Sequence, residues 1–200
     1  MRLLDCGESA ILVEFNSLPE VLAFSAAAEA ARGEGISDLV PGARTVLVCF
    51  EGLPRPAVTT WIRSISAAPA PARTATAVEI PVRYDGPDLD AVAELTGMTV
   101  AEVIDAHTET EWTCAFGGFA PGFGYLVGGG PRLRVPRRAT PRVSVPAGSV
   151  GLAGEFSGVY PRSSPGGWQL LGHTDIELWN TGREPPALIH PGAVVRFRAL

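Results

Sequence analysis

Lysine is absent from this chain: all 16 of its basic residues are arginine. Within the chain itself this excludes a Walker A lysine, a pyridoxal phosphate Schiff base, a biotinyl-lysine attachment and a lysine general base. A partner chain remains free to supply any of them. Cysteine is scarce. Cys6, Cys49 and Cys114 are odd in number and far apart, with no CxxC and no Cys/His cluster, which argues against a zinc site. His107, His173 and His190 lack metal-ligand spacing, so no bound metal is expected, and no GxSxG serine stands near one to suggest a nucleophile elbow. No stretch of 18 apolar residues occurs, so no membrane span is expected. Asp5 and Glu8 fall where a signal peptide needs an apolar run, and the chain reads as cytoplasmic with reduced thiols. Charge is modest, at 18% against 46% hydrophobic residues, the opposite of the balance that disorder requires.

The net charge of −5 argues against general nucleic-acid binding, but the charge is unevenly spread. Residues 77–127 hold nine acids and one Arg, whereas residues 128–200 hold four acids and nine Arg. That contrast fits either a local anionic ligand in the basic third or two patches that face each other.

Gly and Pro, 23 and 18 of 200 residues, are plentiful without a strict period, which points to many turns and short strands. The stretch Ser66–Ala77 is rich in Pro, Ala and Thr and reads as an extended linker. It sets the expected organisation: an N-terminal α/β domain over 1–66, a linker over 67–77 and a second domain over 78–200. The first domain reads β-α-β-β-α, with strands at 10–15, 36–40 and 45–50. Its helices are expected to run from a Ser17/Glu20 capping box to about Arg32 and over 56–65. The second opens with an alternating strand at 79–84. Two short helices follow, one capped by Asp88 and stopped by Gly97, the other capped by Thr99 with Glu102 at its third position. From Trp112 onward short apolar runs broken by Gly and Pro predict a barrel or sandwich.

Three loops carry the candidate chemistry. Gly117-Gly-Phe-Ala-Pro-Gly-Phe-Gly-Tyr125 alternates aromatics with residues that let backbone approach a ligand and fix a turn, which nominates Phe119, Pro121, Gly122, Phe123 and Tyr125. Val135–Ser149 places Arg137, Arg138 and Arg142 within six residues among three prolines, and arginine forks suit carboxylate or phosphate. Thr140 and Ser149 add hydroxyls there. Pro161–Trp168 offers Ser163, Ser164, Gly166 and Gly167 as an anion nest ahead of Trp168. A strained core turn, a solvated basic edge and a plain turn are the respective structural alternatives. His107 reads as a structural histidine at a helix end. The acidic pairs, Asp88/Asp90 among them, read as solvated faces.

At these loops the sequence resembles a known family. GGFAPGFGYL, VPRRATPRVSVPAGSVGLAG and VYPRSSPGGWQLLGHT are similar to the signature blocks of the allophanate hydrolase subunit 1 family, also known as the B subunits of prokaryotic 5-oxoprolinase. That family includes a sporulation histidine kinase inhibitor. Its PGFxYL, PRRxTPR, PAGSV and SPGGW motifs fall on Pro121–Leu126, Pro136–Arg142, Pro146–Val150 and Ser164–Trp168. The resemblance implies an α+β chain: a small N-terminal α/β sandwich followed by a C-terminal cyclophilin-like β-barrel. It implies a homologous partner, the subunit 2 protein or C subunit, in a pair similar to the carboxyltransferase region of urea carboxylase. It further implies a third, lactam-hydrolase-like subunit, ATP as cosubstrate, and the opening of 5-oxoproline, a small carboxylate, to glutamate, with this chain inactive alone. Inhibition of a histidine kinase and allophanate hydrolysis are the alternatives. The chain departs from the family pattern at Ala153–Pro161, where AGGQTGIYP gives way to AGEFSGVYP and Glu155 and Phe156 replace small and amide residues; an amide that contacts ligand there would imply a different substrate or binding mode for this chain.

Overall fold

The computed structural model describes residues 1–66 and 77–200. Residues 67–76, all but the last position of the expected Pro/Ala linker, lie outside the described residues. The chain divides into two compact units, Met1–Arg73 and Thr74–Leu200.

In the first unit, β1 (Arg2–Asp5), β2 (Ala10–Glu14), β3 (Ile36–Pro41) and β4 (Thr45–Phe50) form an antiparallel sheet in the order β1-β2-β4-β3. Alternation decides which face is covered: Val46, Val48 and Phe50 of β4 and Ile11 and Val13 of β2 are buried. Helices α1 (Leu18–Ala30) and α2 (Arg55–Ser64) complete the unit, with Val21, Phe24 and Ala28 of α1 and Val58 and Ile62 of α2 buried. Strand β1 is not among the strands expected from the sequence. Helix α1 also stops two residues before Arg32, and Ser17 makes no side-chain cap bond to the backbone. Glu20 instead takes the Asn16 N–H at 3.3 Å and the Ser17 hydroxyl at 3.2 Å.

The second unit is α+β. Its elements are β5 (Val78–Val82), α3 (Leu89–Thr96), α4 (Val100–Glu109), β6 (Trp112–Gly117), β7 (Gly124–Val127), β8 (Arg142–Val145), β9 (Ser149–Ala153), β10 (Phe156–Val159), β11 (Ser164–Gly166), β12 (Gln169–His173) and β13 (Val194–Ala199). Seven strands make one sheet, ordered β12-β9-β10-β7-β6-β13-β5. Just past β5, Arg83 exchanges both backbone hydrogen bonds with His173 of β12 at 2.9 Å, so the two outer strands meet and the sheet curls into a barrel. Strands β8 and β11 form a separate pair. Inside, Ile80, Val82, Leu126, Leu152, Leu171 and Val195 make an apolar core. The expected Thr99/Glu102 capping box is formed, with both reciprocal bonds present.

His107, at the end of α4, is fully buried and stacks on Phe197 at 4.3 Å. Its ring nitrogens meet the Tyr84 hydroxyl at 2.7 Å and the Ser157 hydroxyl at 2.9 Å. Burial pushes its pKa down to about 3, so the ring is neutral and acts as a hydrogen-bonded core residue.

Candidate functional site

The aromatic loop between β6 and β7 folds on itself through Gly118 N–H to Phe123 O, Ala120 N–H to Gly118 O and Phe123 N–H to Ala120 O. Phe119 is held there at φ 67°, the one positive-φ residue other than glycine among those described. An aromatic residue adopts that region only against a steric cost of about 1–3 kcal/mol, so the turn bonds and ring contacts must outweigh it. The result is a half-exposed Phe119 ring standing 5.3 Å from Phe123 and 6.0 Å from Tyr160.

Phe123 is the centre of the wall, edge-to-face with Tyr125 at 5.1 Å, Trp168 at 5.3 Å and Tyr160 at 5.4 Å. Such edge-to-face pairs are favourable beyond their buried area. Two glycines make room. A Cβ on Gly158 would come within 3.1 Å of both Phe123 and Trp168, and one on Gly166 would lie 2.5 Å from the Tyr160 hydroxyl oxygen. Together these residues bound an open cleft of about 480 Å³.

Among the described residues one cation faces it, Arg137. Burial raises the phenol pKa values of both Tyr125 and Tyr160, and the Arg137 guanidinium opposes the shift in each case. The phenols therefore stay protonated and can donate, beside the positive charge of Arg137. The cleft is thus apolar on its walls and singly positive, an arrangement suited to a small flat molecule bearing one carboxylate.

Arg138 and Arg142 are occupied differently. Asp88, with its side chain only 3% exposed, accepts from Arg138 Nη1 at 2.5 Å, from Arg142 Nη2 at 2.8 Å and from the Leu170 backbone N–H at 2.8 Å. Burial works to raise the Asp88 pKa, but the Arg142 and Leu170 hydrogen bonds and the two guanidinium charges outweigh it, and the net shift is downward. Asp88 is thus neither a solvated face nor a side-chain cap of α3, both of which local pattern suggested. Other acids of the middle segment also pair with C-terminal arginines: Glu111 with Arg196 and Glu79 with Arg198. In this way three of the nine acids of residues 77–127 and four of the nine arginines of residues 128–200 meet an opposite charge.

Of the residues the sequence nominated, Phe119, Phe123, Tyr125, Arg137, Gly166 and Trp168 converge on the cleft. Gly167 lies beside Arg137, and its carbonyl accepts the Arg138 N–H at 2.8 Å. The others stand elsewhere. Gly122 packs against Leu178 and Trp179, Pro121 and Thr140 are exposed, Ser164 is buried with its hydroxyl on the Arg162 carbonyl, and Ser149 opens onto a different cleft. Tyr160 and Phe156 line the site although the loop patterns did not single them out as site residues. Phe156 is half of the departure from the family pattern, and its ring stands edge-on to Tyr125 at 5.5 Å. No group of three or more His, Cys, Asp or Glu is placed to hold a metal, and no helix is long and apolar enough to cross a membrane, among the described residues.

The fold and this cleft define a class. Residues 1–189 match the carboxyltransferase domain family, subdomains C and D, and the chain belongs to it. Over 123 residues it is 50% identical to the B subunit of 5-oxoprolinase from Bacillus subtilis (strain 168), a match covering 60% of this chain and 51% of that protein. The chain thus spans about half the length of this curated relative. Among solved structures it resembles the conserved protein PH0987 from Pyrococcus horikoshii, at 35% identity and a TM-score of 0.61, over 100% of this chain and 97% of that one. Urea carboxylase of Kluyveromyces lactis shares the fold at 19% identity and a TM-score of 0.81, over 99% of this chain and 21% of that one.

Proposed function

We propose that this chain is the substrate-binding B subunit of an ATP-dependent 5-oxoprolinase, a hydrolase that opens 5-oxoproline to glutamate. The observation that carries the reading is the pairing of one guanidinium, Arg137, with an aromatic cleft of about 480 Å³. A five-membered lactam offers a flat apolar face to Phe123, Tyr125 and Trp168. Its carboxylate matches Arg137 in a charge-assisted pair. Its amide can accept from the Tyr160 or Tyr125 hydroxyl, whose protonated state burial protects. The curated relative named above supports the same activity.

ATP does not fit this cleft. A triphosphate carries several charges, while Arg138 and Arg142 bond to Asp88 and do not line this cleft, so among the described residues a single guanidinium, Arg137, faces it. On this reading nucleotide use belongs to the assembled complex, formed with a homologous C subunit and a third subunit, and the chain alone is inactive. The test is co-expression of this chain with both of those partners. A co-eluting complex that releases glutamate from 5-oxoproline only when ATP is present supports the proposal. A stable complex without that turnover overturns it.

A further inference from the structure

A second cleft, of about 460 Å³, opens elsewhere on the barrel, and nothing in the reading above uses it. It forms where the barrel closes. The segment after β5 runs along β12, with Arg83 bonded to His173, Gly86 N–H to Leu171 O at 3.0 Å and Asp88 N–H to Leu170 O at 3.2 Å. The approach is close enough that a Cβ on Gly172 would collide with the Arg83 carbonyl oxygen, so the backbone there is tightly fixed. This places Asp85 beside His173, and His173 Nδ1 donates to Asp85 Oδ1 at 2.8 Å. The carboxylate can only accept, so the neutral ring carries its proton on Nδ1 and leaves Nε2 as an acceptor. Across the ladder, His173 is paired in register with Ser149, and both line the cleft. Residues opposite each other on an antiparallel pair share one face, about 5 Å apart.

The lining also carries positive charge. Arg142 contributes to it, and its partner Asp88 is shared with Arg138, so two guanidinium charges face one buried carboxylate and one positive charge is left over. The cleft therefore holds a negative charge at Asp85 beside His173, the Ser149 hydroxyl across the ladder from His173, and the positive charge of Arg142. The first cleft has a cation but no anion. The two differ as a lactam acid differs from an amino acid: ring opening turns a neutral amide nitrogen into an ammonium group and adds a carboxylate.

We propose that the second cleft is a separate binding site for a small zwitterion of the amino-acid class, with its ammonium group at Asp85 and His173 Nε2 and its carboxylate at Arg142 and Ser149. The assignment of the zwitterion as the product, glutamate, rests on the function proposed above; the zwitterion preference itself rests on the charges of the cleft. Titration of the full chain with L-glutamate, followed by calorimetry and by the backbone amide signals of Gly86, Ser149 and Gly172, tests it. Saturable binding that moves those three amides is expected. Asp85→Asn should weaken it about tenfold or more, because the ammonium loses its charged partner. His173→Gln should weaken it as well, and Arg137→Ala should leave it unchanged. Acetate and 5-oxoproline, which lack the ammonium group, should bind this cleft far more weakly. The proposal is overturned if they bind it as tightly as glutamate, if millimolar glutamate leaves the three amides unmoved, or if Asp85→Asn binds like the parent. Since 5-oxoproline is expected to move the Trp168 indole N–H instead, a failure in the first cleft is read separately from a failure in the second.

Discussion

Asp88 and Arg142 stand 54 positions apart and meet at 2.8 Å, with the Asp88 carboxylate almost wholly buried and Arg138 on the same oxygen. The Leu170 N–H on the second oxygen joins this pair to β12, the strand that begins just after Trp168. The contact holds the arginine segment against the barrel and leaves Arg137 as the guanidinium that faces the aromatic cleft.

Removing that carboxylate leaves two half-buried guanidinium groups without their acceptor. Asp88→Asn is expected to cost about 2–4 kcal/mol of folding stability, at the lower side of the range for broken buried pairs because the arginines keep some solvent contact. The sign of the pH effect follows from the depressed pKa. Asp88 contributes stability that is present above its ordinary value of 3.8 and is lost as pH falls below it. Urea melts between pH 3 and pH 7 should show the parent weakening at the acid end and the variant weakening less; equal acid slopes would contradict the assignment.

His107 gives a second, separable window. It is neutral in the fold down to about pH 3, whereas in the unfolded chain it takes up a proton near 6.5. Stability from this group is therefore full above pH 6.5 and falls with acidification, by up to about 1.4 kcal/mol per pH unit. His107→Gln should lower stability at pH 7 yet flatten the slope between pH 6 and pH 4. A slope unchanged by the substitution would show that another group sets it.

Gly166→Ala tests the shape of the aromatic cleft without touching its charge. The added methyl would sit 2.5 Å from the Tyr160 oxygen, and Tyr160 is buried, so the ring must shift. Overpacking of this kind costs about 1–3 kcal/mol. Affinity for 5-oxoproline should fall about tenfold, with the melting temperature lowered by a few degrees, as read by fluorescence of the neighbouring Trp168. Unchanged affinity would mean that the ligand does not reach Tyr160.

Local pattern carried much of this architecture. The short apolar runs after Trp112 became the short strands of the barrel, the Thr99/Glu102 box formed, and Gly97 ends α3 at φ 69°. The aromatic loop was legible because its rings alternate with glycine and proline, although Gly122 there also serves close packing against Leu178 and Trp179. Where reading failed, the deciding partner was distant in sequence. Asp88 looks like a helix cap because a cap is decided within four residues, while its real partners lie 50 and 54 residues away. Strand β11, Ser-Pro-Gly, has the composition of a turn and is a strand because β8 pairs with it. Tyr160 carries no local signal of its own, and its place in the wall follows from barrel curvature, which no local pattern encodes. One signal was available for Phe156: it is a large apolar residue opening a strand at the position where the family pattern has a small or amide one.

The most direct test of the account is Arg137→Ala in the assembled complex, with assembly confirmed by size exclusion. A charged hydrogen bond to the substrate carboxylate contributes about 1.5–3 kcal/mol, so kcat/KM for 5-oxoproline should fall about 10- to 150-fold, mainly through KM. An assembled Arg137→Ala complex that keeps near-parent kcat/KM would contradict the account, placing Arg137 on a solvated face and the substrate outside the aromatic cleft.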